Sequence, residues 1–133
     1  MTSLTKFERL ISWGCRIAAA IILLQTLFFK FTAAPESVYI FSKVGLEPWG
    51  RIGSGVVELV AALLLFMPGY HWLGAAMAIG VLSGAIVSHL TVLGIVVMND
   101  GGLLFALALI TVACCAVVLF LERRSIPLIG ARL

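Results

Sequence analysis

Long apolar stretches alternate with short polar or Gly/Pro-containing breaks along this chain. The stretches run from about Leu10 to Phe31, Trp49 to Met67, Trp72 to Leu93 and Leu103 to Leu121. Each is near the ~17–25 residues with which a helix crosses a hydrocarbon core. They are apolar on every side, whereas strands of a transmembrane barrel alternate. Four transmembrane helices are therefore predicted. Pro68-Gly69 predicts a tight turn, which makes the second and third helices antiparallel neighbours. The longest connection, Thr32 to Pro48, mixes Glu36, Lys43 and Glu47 with Tyr39, Ile40 and Phe41. That mixture predicts a short amphipathic segment, lying on the membrane or folded over the bundle.

Composition narrows the class. Of 133 residues, 62% are hydrophobic and 11% charged, against roughly 45–50% and 25% in a soluble domain. An ordinary water-soluble enzyme and a disordered chain are excluded. The net charge of +3 comes from scattered basic residues, without the clustering that nucleic-acid binding needs. The expectation is one domain over residues 1–133: an all-α, integral membrane four-helix bundle in contact with the lipid bilayer.

Charge also orients it. Lys6, Arg9 and Arg16 precede or open the first span, and Arg123, Arg124 and Arg132 follow the last. Lys30, Lys43 and Arg51 fall on the other side. By the positive-inside rule both termini are cytoplasmic, N-in and C-in. Ala33-Ala34 after the first apolar run resembles a signal-peptide cleavage site, but Pro35 and Phe31 fit one poorly. The first span is read as retained.

Chemistry concentrates in a few polar residues inside the spans, where a charge costs ~2.5–3.5 kcal/mol on insertion scales. Glu58 lies near the middle of the second span, too deep for its short side chain to reach water. Arg51, Ser54 and Gly55 precede it by seven, four and three residues and share its helix face. Lys30 closes the first span, Gln25 lies inside it, and His89 lies about a turn from the end of the third. Lys30, Arg51, Glu58 and His89 are thus expected to line one outer-half cavity, with Glu58 and His89 as the candidate proton relay. Structural readings stand beside this one: Lys30 and Arg51 as residues that snorkel to the interface, Glu58 as an ion-pair partner of Lys30, His89 as a helix-to-helix hydrogen-bond residue.

Other features read as structural. His71, between Tyr70 and Trp72, is an interfacial anchor, and its separation from His89 leaves no metal site expected. Gly80 and Gly84 form a G-x-x-x-G on the third span, a packing device within the bundle or a seam between copies in a homo-oligomer. Asp100, before Gly101-Gly102, is positioned to cap the fourth helix. Cys15, Cys114 and Cys115 lie in apolar runs and form no C-x-x-C; they read as small hydrophobic residues.

Phe29-Lys30-Phe31, Gly53 to Glu58, and His89-Leu90-Thr91-Val92-Leu93-Gly94 followed by Asp100-Gly101-Gly102, in this order and on these spans, resemble the DoxX family of small four-span bacterial membrane proteins. The resemblance extends from about Arg16 to Leu121. It implies an inner-membrane location and similarity to the membrane subunits of archaeal thiosulfate:quinone oxidoreductases, with relatives linked to thiol or oxidative-stress systems or to membrane-protein assembly. This chain carries no paired-cysteine motif, so a redox cofactor would be a diffusible quinone or belong to a redox partner protein. The expected function is binding of a quinone-like or other amphipathic ligand as an accessory to a membrane redox system. The alternatives are a non-enzymatic scaffold or assembly helper, and a small proton-coupled transporter.

Overall fold

The computed structural model describes residues 4–98 and 100–127 and, among these, is all-helical. Arg132, counted above for orientation, lies outside the described residues. Helix α1 spans Lys6–Phe31, α2 Pro35–Val44, α3 Trp49–Leu64, α4 His71–Ser88 and α5 Leu103–Leu121. Thr5 starts α1 through a capping box: its hydroxyl accepts from the Glu8 amide at 3.1 Å, and the Glu8 carboxylate accepts from the Thr5 amide at 3.0 Å. Gly45 ends α2 in the left-handed conformation, at φ 81°.

Helix α1 packs on α3 and α5, and α4 packs on the same two, so the four long helices enclose a core. Small residues let them approach: Ala19, Ala61, Ala75 and Ala78 are fully buried. The outside of α1 is as apolar as its inside. Leu10, Trp13, Ile17, Ile21, Leu24 and Phe28 recur every three or four residues along an exposed stripe, each at least 45% accessible. Ser12, Arg16, Ala19, Leu23 and Leu27 form the buried stripe. Water would penalise such an exterior, whereas hydrocarbon accepts it.

Three helical stretches are long and apolar enough to cross a membrane: Lys6–Phe31, His71–Leu93 and Leu103–Leu121. The second predicted span is shorter than expected. Helix α3 stops at Leu64, and Leu65 to Met67 already turn toward Pro68-Gly69. Its 16 residues cover about 24 Å at 1.5 Å per residue, less than the ~30 Å hydrocarbon core.

Gly74 is the glycine that permits close helix contact. A Cβ there would lie 2.6 Å from the Ala61 carbonyl oxygen and 2.7 Å from the Leu65 nitrogen. At Gly80 and Gly84 a Cβ would meet nothing within 4 Å. The G-x-x-x-G therefore does not seat a neighbouring helix of this chain; both glycines border open space instead.

Candidate functional site

One end of the helix assembly holds a cavity of about 630 Å³, bordered by α1, α2, α3, α4 and α5. Helix α2 covers it. Ser37, Ile40, Phe41 and Val44, spaced three and four apart, turn one face of α2 onto the cavity. Of the two placements open to this segment in the sequence, it is folded over the bundle. Gly80 and Gly84 border the same space, so the absence of side chains there widens the cavity.

Two i,i+4 pairs meet across α1 and α3. Thr26 and Lys30 share a face of α1, and Ser54 and Glu58 share a face of α3. Lys30 Nζ donates to Glu58 Oε1 at 2.7 Å and to Ser54 Oγ at 3.1 Å. The Thr26 hydroxyl lies 2.8 Å from the Leu23 carbonyl oxygen and 3.3 Å from Glu58 Oε2. With one proton to share, it leaves acceptor capacity on Oε2. The Glu58 side chain is 2% exposed and that of Lys30 14%. Gly55 lets α1 approach here, because a Cβ would meet the Phe31 ring at 2.8 Å. As a charged pair, Lys30 and Glu58 add no net charge to the cavity wall.

His89 enters the wall through a change of helix type. After Ser88 the chain continues as a π-helical turn, His89–Leu93, a local form common at functional sites. Gly94 then reverses the chain at φ 80°. The His89 ring is clamped: Nδ1 lies 2.9 Å from the Gly94 carbonyl oxygen, and Phe105 meets the ring edge-on with centroids 5.5 Å apart. A carbonyl can only accept, so Nδ1 carries the proton.

Asp100 caps α5. Its carboxylate accepts from the amides of Gly102 at 2.8 Å, Val97 at 3.0 Å and Leu104 at 3.1 Å. Burial pushes this carboxyl up. The three amides, with His89 nearby, outweigh burial and hold it below the ordinary aspartate value.

Arg51 stands apart from the cavity wall. Its guanidinium pairs with Glu47, at 2.8 Å from Nη2 to Oε1, and donates to the Lys30 carbonyl oxygen. It anchors the segment before α3 and the end of α1 rather than joining Glu58. Gln25 borders the cavity as well. Among the described residues no three His, Cys, Asp or Glu side chains converge as a metal site would require.

The opposite end carries a second polar cluster that sequence reasoning did not assemble. Arg16, 3% exposed, donates through Nε to Ser12 Oγ at 3.2 Å and through Nη1 to the Leu65 carbonyl oxygen at 3.2 Å. His71 Nδ1 donates to the same carbonyl at 2.6 Å, and its Nε2 accepts from Arg16 Nη1 at 3.2 Å. Ser12 Oγ donates to Glu122 Oε1 at 3.2 Å. Four elements are clasped by this network, and His71 is part of it rather than a free interfacial anchor. The signal was available: Ser12 and Arg16 repeat the hydroxyl-then-cation i,i+4 spacing of Thr26 and Lys30. The Arg16 guanidinium also lies 4.1 Å over the Trp13 ring.

All three cysteines are free thiols, and they are not equivalent. Cys114 adjoins Cys15 of α1, while Cys115 is fully buried in the core.

Long apolar helices, a lipid-compatible exterior and charged groups confined to the interior and the helix ends define, among the described residues, an all-helical membrane protein. No family model, curated protein or solved structure matches the chain.

Proposed function

We propose that the chain is a four-span bacterial inner-membrane protein of the DoxX type. Both termini are cytoplasmic, and a quinone-like or other amphipathic ligand binds in an outer-half pocket. In this reading it is an accessory to a membrane redox system, and electrons come from a partner protein. One observation carries it: a buried, charge-neutral polar group, Lys30–Glu58, borders a mostly apolar cavity of about 630 Å³. That combination suits a molecule with an apolar body and a small uncharged polar head. Helix α3 serves as the fourth span. Its length deficit is met by local bilayer thinning and by Arg51 and Glu47 at its outer end.

A bound quinone would supply the two-electron, two-proton chemistry; the chain's own residues supply position and proton contacts. Lys30 offers a donor, and Glu58 Oε2 and His89 Nε2 offer proton-accepting atoms. The apolar wall excludes water. The residues present therefore fit a neutral amphiphile of quinone size.

The test is mass spectrometry of small molecules that co-purify with the detergent-extracted protein, wild type beside Glu58→Gln and Gly84→Leu. A stoichiometric amphiphile in the wild type, lost from both folded variants, is the expected result. No enriched small molecule in the wild type would overturn the ligand reading and favour the scaffold alternative.

A further inference from the structure

We infer, resting on the ligand reading above, that the pocket selects a hydroxyl-bearing amphiphile, an alcohol or phenol such as the reduced quinol form of a quinone, whose O–H donates to His89 Nε2. The argument begins with the π-helical turn. It brings the Gly94 carbonyl oxygen within 2.9 Å of His89 Nδ1, and that carbonyl needs a donor. The proton of the neutral imidazole is therefore on Nδ1, which leaves Nε2 with a lone pair and no proton.

Nε2 makes no hydrogen bond to the described residues. His89 as a whole is 4% exposed, and among the described residues no side-chain nitrogen or oxygen sealed from open space lacks a partner. Nε2 has no partner among the described residues, and the space that His89 borders is the cavity. Phe105 packs on the imidazole in a T-shaped contact with centroids 5.5 Å apart.

The nearby titratable groups do not reverse this polarity. Asp100 is occupied by three backbone amides. Glu58 on α3 adds a second acceptor, Oε2. Lys30 on α1 spends two of its three N–H bonds on Glu58 and Ser54. His89 Nε2 and Glu58 Oε2 thus offer acceptors to the cavity, and a ligand carbonyl or ether oxygen set against Nε2 would place lone pair against lone pair. A hydroxyl satisfies both sides. Sites built to hydrogen-bond a hydroxyl discriminate strongly against analogues that lack it.

The probes are 4-decylphenol and its methyl ether, titrated calorimetrically into the purified full chain in detergent micelles. The variants are His89→Asn, which keeps a donor for Gly94 but has no acceptor at the Nε2 position, and His89→Gln, which restores one there. The phenol is expected to bind the wild type about tenfold more tightly than the ether. His89→Asn should bind the two alike, and His89→Gln should recover part of the preference.

Equal binding of both probes to the wild type overturns the inference while leaving the pocket in place. Binding of neither overturns the ligand reading as well. A preference that survives His89→Asn removes His89 from the role. Nitrogen-15 NMR of the histidines checks the premise directly: a proton on Nε2 of His89 would overturn the inference whatever the binding data.

Discussion

Replacing Lys30 by Met removes the ammonium that lies 2.7 Å from Glu58 Oε1, on a carboxylate side chain only 2% exposed. At that distance the pair attraction is about 6 kcal/mol for an effective dielectric near 20. Desolvating the two ions offsets much of it, at several kcal/mol each. Removing one partner restores no solvation to the other, so a single substitution is expected to cost about 3–5 kcal/mol. The insertion cost of a lone charge within a span, ~2.5–3.5 kcal/mol, falls in the same range. The two single variants should not be equal. Glu58 is the deeper group and cannot reach water, whereas Lys30 has a long stem and more exposure, so Lys30→Met should cost more than Glu58→Leu. The double variant removes both charges together and should unfold near the wild type. Reversible unfolding in mixed micelles, followed by far-ultraviolet circular dichroism, gives all four corners of the cycle. A coupling of at least about 3 kcal/mol is expected. Single variants within about 0.5 kcal/mol of wild type, or additive effects in the double, would show that the pair is neither buried nor mutually dependent.

Three further outcomes are expected. Gly74→Ala should destabilise the protein by at least about 1 kcal/mol, because its Cβ meets the α3 backbone at 2.6 Å, whereas Gly80→Ala should be tolerated; thermal unfolding of the two variants tests this, and equal effects would count against the α3–α4 packing. A short bis-maleimide should link Cys15 to Cys114 and leave Cys115 unmodified, as read by peptide mapping; a link through Cys115 would contradict the packing of α1 on α5. Asp100→Ala should cost about 0.5–2 kcal/mol at pH 7, the usual scale for a lost helix cap. Because the folded-state value of Asp100 lies below 3.8, its contribution is present above that pH and fades as pH falls through the folded-state value. The wild type should therefore approach the variant only in that acid range.

Hydropathy and spacing alone determined much of this protein. Helical type, the position of α5 at Leu103–Leu121, the turn at Pro68-Gly69 and the capping role of Asp100 all follow from short-range rules, in which neighbouring residues carry the information. The juxtaposition of Lys30 with Glu58 was legible as a possibility, since a deep carboxylate needs a partner. Lys30 was one candidate for that partner and Arg51 another, and spacing alone did not choose between them. Arg51 shares a helix face with Glu58, yet it turns to Glu47 and the Lys30 carbonyl, because α1 rather than α3 itself brings the closer charge. The Gly80–Gly84 motif carried the same ambiguity. Four-residue spacing places small residues on one face, but only the packed neighbours decide whether a helix or a cavity lies against them. Arg16 illustrates the limit most clearly: near the N-terminus it counted as an interfacial charge, and the ends of α3, α4 and α5 make it the centre of a buried clasp. The tautomer of His89 was also beyond reach, since it depends on where a π-helical turn carries the Gly94 carbonyl. A sequence records which groups need partners; the three-dimensional approach of distant helices assigns them.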